Sequence, residues 1–186
     1  MFDALNQMEL PLLDAIQSVK CGFLDTVMPL ISAFADHGIG LIGVALLLII
    51  FKKTRKTGLM CGMSLIIGLV LVNLIMKPIF DRVRPHDVNE AMRALLLIAP
   101  PDDGSFPSGH TLASFEVATV LMMRDKRFGI PALVLAVLIA FSRLYLYVHY
   151  PTDVLAGAVL GALCGVLGVV IVDRIWNAVD KKTRVK

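Results

Sequence analysis

Apolar runs at residues 59–80, 130–148 and 151–174 limit what this chain can fold into. Each is close to the roughly 20 helical residues that cross a bilayer, and a shorter run covers 108–124. With 57% hydrophobic residues in 186, the chain is too apolar for an ordinary soluble fold. The expected class is all-α, a polytopic helical membrane protein of about five to six helices in a compact bundle. The length suggests a single membrane-embedded domain over 1–186.

The segments before the first confident span read differently. Residues 1–20 mix Leu, Met and Ile with Asp3, Glu9, Asp14 and Lys20, the pattern of an amphipathic helix at the membrane surface. Acidic residues there also argue against a cleaved signal peptide. Residues 22–51 are apolar but broken by Pro29 and Asp36-His37-Gly38. They fit one kinked crossing, or a surface helix followed by a short crossing from about residue 36. Cys21, Cys61 and Cys164 read as small core residues and not as a disulfide framework.

Basic residues set the sidedness. Lys52, Lys53, Arg55 and Lys56 form one cluster, Arg124, Lys126 and Arg127 a second, and Arg174, Lys181, Lys182, Arg184 and Lys186 a third. If the four spans alternate, all three clusters share one face, which the positive-inside rule makes cytoplasmic along with the C-terminus. The 81–107 loop then lies outside. Helical rise puts His110 and Arg143 roughly 21 Å above the cytoplasmic edge, and Lys77 and Asp153 roughly 31 Å above it. The formal charge of +3 is not gathered into a basic stripe, so no nucleic-acid partner is expected.

Charged groups at membrane depth are costly and mark function. Residues 142–153 hold Arg143, His149 and Asp153 between apolar stretches. Pro151 suits the first turn of a helix, which places His149 just ahead of it and Asp153 inside it. The i, i+4 offset lets the carboxylate reach one imidazole nitrogen and leaves the other free. Lys77, Arg84 and Arg143 around His110 and His149 suit a phosphate better than a neutral ligand.

Together, Lys77-x6-Arg84-Pro85, Pro107-Ser108-Gly109-His110 and Ser142-Arg143-x5-His149-x3-Asp153 resemble the type-2 phosphatidic acid phosphatase superfamily. The resemblance covers roughly residues 59–176 and looks most like bacterial undecaprenyl-diphosphate phosphatases. It implies metal-independent hydrolysis of a lipid phosphate or diphosphate through a phosphohistidine, without a cofactor, at the outer face of the bacterial inner membrane. The substrate implied first is undecaprenyl diphosphate. A phosphatidylglycerophosphate or phosphatidic acid phosphatase, a lipid phosphotransferase and a non-enzymatic lipid-phosphate binding or transport protein stand as alternatives. Membrane lipids are the expected surroundings.

On this reading His149 is the nucleophile, Asp153 its orienter, and His110 the acid for the leaving group and then the base for water. Lys77, Arg84 and Arg143 bind phosphoryl oxygens, and Ser108 and Gly109 form an anion cradle at a helix start. Each feature has a plainer reading beside it: a snorkelling Lys77, a Pro-Ser helix cap, an Asp153 helix cap. Arg82, Arg93 and His86 are near enough to touch a second phosphate or lipid headgroups, with solvated loop residues as the favoured reading, and Asp36-His37 reads as a helix break. Three clustered cations would repel a divalent metal, so no metal site is expected.

Overall fold

The computed structural model describes residues 2–184, so part of the third basic cluster, Lys186 with the side chains of Lys182 and Arg184, lies outside what is described. Every regular element among the described residues is helical, the arrangement that satisfies backbone groups within the segment when no water is present. Among the described residues three segments are long and apolar enough to cross a membrane: Arg55–Val88, Lys126–Tyr145 and Pro151–Lys181. A fourth is available from a bent pair, Gly22–Ala33 with Asp36–Ile50, which turns by 44°.

Helix α1 (Asp3–Gln17) forms where an amphipathic helix was expected, but its buried face carries Asn6 and Glu9 beside Leu13, while Met8 and Leu12 are exposed. Helix α2 (Gly22–Ala33) gives Asp25 to the Tyr145 hydroxyl and Ser32 to Arg143. Both meet the last turn of α9 (Lys126–Tyr145), so α2 stays at that end of the bundle. A single tight turn, Asp36–Gly38, precedes α3 (Ile39–Ile50). The bend falls at the Asp36-His37-Gly38 break that both sequence readings of 22–51 share. Cys61 and Cys164 are buried as expected, whereas Cys21 is exposed at the start of α2.

From Arg55 the chain returns through α4 (Arg55–Leu69), widens into a π turn over Val70–Met76, and ends in α5 (Lys77–Phe80). Two single-turn helices, α6 (Pro85–Val88) and α7 (Glu90–Arg93), punctuate the following loop. Helix α8 (Gly109–Arg124) packs against α4, α9 and α10 (Pro151–Arg184). It occupies the expected 108–124 run, yet its 16 residues fall short of a free-standing span. Its apolar residues are instead enclosed: Val117, Val120 and Leu121 share one core with Met60, Cys61, Ile139 and Val169. Gly157 and Gly165 let α10 lie directly on α8, since a Cβ would stand 2.7 Å from the Ser108 carbonyl oxygen and 2.9 Å from that of Glu116. At the far end Lys56 pairs with Asp173 at 2.6 Å and lies over Trp176.

Candidate active site

All three motif segments end at the same pole of the bundle, around a cavity of about 610 Å³. Lys77, Arg84, Gly109, His110, Arg143 and His149 all line it.

His149 sits in the short turn between α9 and α10, which Tyr147 enters with a φ of 60°. Pro151 begins α10, and in its first turn the Asp153 carboxylate accepts from the Tyr150 N–H at 2.8 Å. Asp153 is therefore a helix cap as well as a site residue. The imidazole Nδ1 of His149 faces the Ser105 carbonyl oxygen at 2.8 Å, with Asp153 Oδ2 farther off at 3.5 Å. Its Nε2 faces the Arg84 guanidinium at 3.4 Å. A carbonyl only accepts and a guanidinium only donates, so Nδ1 carries the proton and Nε2 presents a lone pair. Burial, then the charges of Arg84, Arg143 and Lys77, hold the proton affinity of this ring well below its usual value.

Arg84 is clamped by backbone, Nη1 to Val148 O at 2.7 Å and Nε to Asp103 O at 2.8 Å. The Asp103 carboxylate bridges Arg84 Nη2, at 2.5 Å, and Lys77 Nζ. Despite partial burial, these two cations hold the Asp103 carboxyl down at about 2. Arg143 is buried, with Nη1 bonded to the Ser32 hydroxyl. His110, in the first turn of α8, places Nε2 at 2.6 Å from Asp36 Oδ1.

Two expected roles change in form. Ser108 is fully buried and its Oγ caps α8 by accepting from Thr111, while its N–H goes to the Asp153 carbonyl at 3.0 Å. Its hydroxyl therefore does not line the cavity, and of the expected cradle only Gly109 does. Asp153 spends its carboxylate chiefly on Arg82 at 2.5 Å, on the Ser105 hydroxyl and on Tyr150 N–H, with His149 the most distant partner.

Among the residues taken for solvated loop, Arg82 is buried, as the hub of an ionic network. It bonds Glu9 Oε2 at 2.6 Å, Asp153 Oδ1 at 2.5 Å, Asn6 Oδ1 at 2.9 Å and Thr152 Oγ1 at 2.7 Å, and lies 4.0 Å over the Tyr150 ring. The polar face of α1 supplies Asn6 and Glu9, which is why that face is turned inward. His86 is also buried, whereas Arg93 stays exposed and pairs with Asp87. Asp36-His37 is a break, as read, but Asp36 also reaches a site histidine. Among the described residues no group of three or more His, Cys, Asp or Glu is placed to hold a metal ion.

Known proteins resemble this chain in sequence and in fold. Residues 57–177 match the model of the PAP2 superfamily. An undecaprenyl-diphosphatase of Sulfolobus acidocaldarius is 40% identical over 131 residues, which cover 70% of this chain and 62% of the relative. The undecaprenyl-diphosphatase BcrC of Bacillus subtilis is 31% identical over 165 residues, covering 87% of this chain and 82% of the relative. The crystal structure of a transmembrane PAP2-type phosphatidylglycerolphosphate phosphatase from Bacillus subtilis superposes with a TM-score of 0.73 at 27% identity, over 93% of this chain and 88% of that one. With its helical bundle and both site histidines at one pole, the chain belongs to the PAP2 superfamily of membrane phosphatases.

Proposed function

We propose that the cavity hydrolyses a lipid diphosphate, with undecaprenyl diphosphate as the substrate and undecaprenyl phosphate and inorganic phosphate as products. One observation carries the reading: the unprotonated Nε2 of His149 faces a cavity that also holds Lys77, Arg84 and Arg143. In the first step Nε2 bonds to the terminal phosphorus as the bond to the bridging oxygen breaks, and His110 supplies a proton to that oxygen where it is needed. In the second, His110 takes a proton from water, the water oxygen bonds to phosphorus, and the N–P bond breaks. Guanidinium and ammonium groups stabilise the equatorial oxygens throughout. No step calls on a metal or a cofactor.

The names of the two relatives support a diphosphate, and the superposed phosphatidylglycerolphosphate phosphatase supports a lipid monophosphate as the second reading. Lys52 and Lys53 precede α4, and Arg55 and Lys56 begin it, at the pole opposite the site, which supports an extracytoplasmic cavity and a cytoplasmic C-terminus. We read residues 1–186 as one membrane-embedded catalytic domain.

Phosphate release by purified protein in detergent is the direct test, comparing undecaprenyl diphosphate, phosphatidylglycerophosphate and phosphatidic acid. Faster kcat/KM on the diphosphate is expected, with His149→Ala inactive on all three. A preference for either monophosphate overturns the substrate, and no release from any of them overturns the enzyme.

A further inference from the structure

Both histidines of the cavity have a carboxylate beside them, and the second carboxylate comes from outside the family region. Asp36 lies 74 positions before His110 and ahead of the matched residues 57–177. Its place is fixed by the break between α2 and α3. His37 and Gly38 take φ values of 51° and 70°, and the Gly38 N–H bonds the Ala35 carbonyl at 3.0 Å. Left-handed residues stop a helix and redirect the chain, and this turn packs on α8, whose first turn holds His110. The same segment sends Ser32 to Arg143, so it meets two of the cavity's functional groups. The carboxylate is half exposed and the imidazole less so, which lets Asp36 approach from the solvent side.

We propose that Asp36 is the positioning residue of His110. A carboxylate only accepts at that distance, so it keeps a proton on Nε2 and fixes the ring in one orientation. The proton exchanged with substrate is then the one on Nδ1. It passes to the leaving oxygen as the P–O bond breaks, and Nδ1 regains a proton from the attacking water as the P–N bond to His149 breaks. The charges of Arg143 and Lys77 act on the same ring, and Asp36 is the anion that offsets them. This assignment rests on the reading of His110 as acid and base.

The test uses first-turnover rates of the full-length enzyme in detergent on two probes, dodecyl phosphate, whose alkoxide needs a proton to leave, and 4-nitrophenyl phosphate, whose phenolate does not. Asp36→Ala should slow the first turnover on dodecyl phosphate by at least about tenfold, part of the gain of a general acid. It should leave 4-nitrophenyl phosphate within about threefold, with Asp36→Asn between the two because its amide oxygen still accepts. Added to His110→Ala, Asp36→Ala should cost nothing more, since it acts only through that ring. Equal losses on both probes, additive losses in the double variant, or a lower KM at unchanged kcat would each overturn the proposal. If His110→Ala itself slows both probes equally, the reading beneath it falls as well. Nitrogen-15 spectra of the histidine rings give a check independent of turnover. The His110 resonances should show a hydrogen-bonded Nε2–H that Asp36→Ala removes, and its absence from the wild type overturns the pairing.

Discussion

His149 Nδ1 lies 2.8 Å from the carbonyl oxygen of Ser105 and 3.5 Å from the carboxylate of Asp153, so a backbone group sets the tautomer of the proposed nucleophile. In a serine-protease triad, changing the aspartate to asparagine loses about 10⁴ in kcat through the wrong tautomer. Here the carbonyl survives that change. Asp153→Asn should therefore lose kcat by roughly 10²-fold, the electrostatic part alone, while Ser105→Ala, which keeps the carbonyl, should lose less. Steady-state kcat on one lipid substrate decides it, and a 10⁴-fold loss would return tautomer control to Asp153.

Arg82 joins α1 to the first turn of α10, and removing one partner of a buried ion pair leaves the others uncompensated. Arg82→Met should cost about 3–5 kcal/mol of stability, because Glu9 and Asp153 both lose their cation. Thermal unfolding in detergent checks this. A shift no larger than that of an exposed change such as Arg93→Met would show that the network contributes little.

The three motif segments and the main spans were legible because each is local: a period, a proline, a run of charge. The partners that shape the site were not. Arg82 meets Glu9 and Asp153 across 73 and 71 positions, and His110 meets Asp36 across 74. Nothing at residue 82 distinguishes a solvated arginine from a buried one until α1 is laid over it. The acidic residues of α1 were visible, yet in a helix otherwise rich in Leu and Met they suggested a face turned to water. Ser105 escaped for another reason, since it acts on His149 through its carbonyl and every residue has one. Asp103 held the one missed signal, an acidic pair in the loop leading to Pro107-Ser108-Gly109-His110.

Asp103 stands across the two cations that a phosphate would engage, and a substrate must take its place. Asp103→Asn should therefore strengthen inhibition by vanadate or inorganic phosphate several-fold, in line with the effect of one nearby like charge. The inhibition constant at fixed ionic strength is the measurement. Weaker inhibition would mean that Asp103 holds Lys77 and Arg84 in place for the substrate.

Acid should destabilise the fold in two stages. Burial first, with neighbouring cations, holds His149 well below the ordinary value of 6.5. As pH falls through 6.5 the unfolded chain takes up protons that the folded one refuses, so stability drops below that pH and is level above it. Asp103 has the opposite chemistry but the same trend. Its carboxyl is lowered from 3.8 to about 2, so its contribution is whole above 3.8 and lost as pH falls toward 2. Melting temperature against pH should show the first fall, and His149→Gln should make it shallower. A melting temperature constant from about pH 8 to 5 would contradict it.

The two histidines also separate diphosphate from monophosphate chemistry. In the proposed mechanism His149 makes the first bond with any substrate, so His149→Ala should abolish release of every leaving group. His110 matters in proportion to how poorly the group leaves. A lipid monophosphate expels an alkoxide, which needs a proton. A lipid diphosphate expels a lipid phosphate, whose second pKa of about 6 lets it depart unaided. His110→Ala should therefore keep a measurable first turnover on undecaprenyl diphosphate and lose it on phosphatidic acid. Later turnovers should stall on both, because the water that attacks the phosphohistidine has lost its base. Rapid-quench measurement of the lipid product, one turnover at a time, distinguishes the cases. Equal loss of the first turnover on both substrates would remove His110 from the role of leaving-group acid.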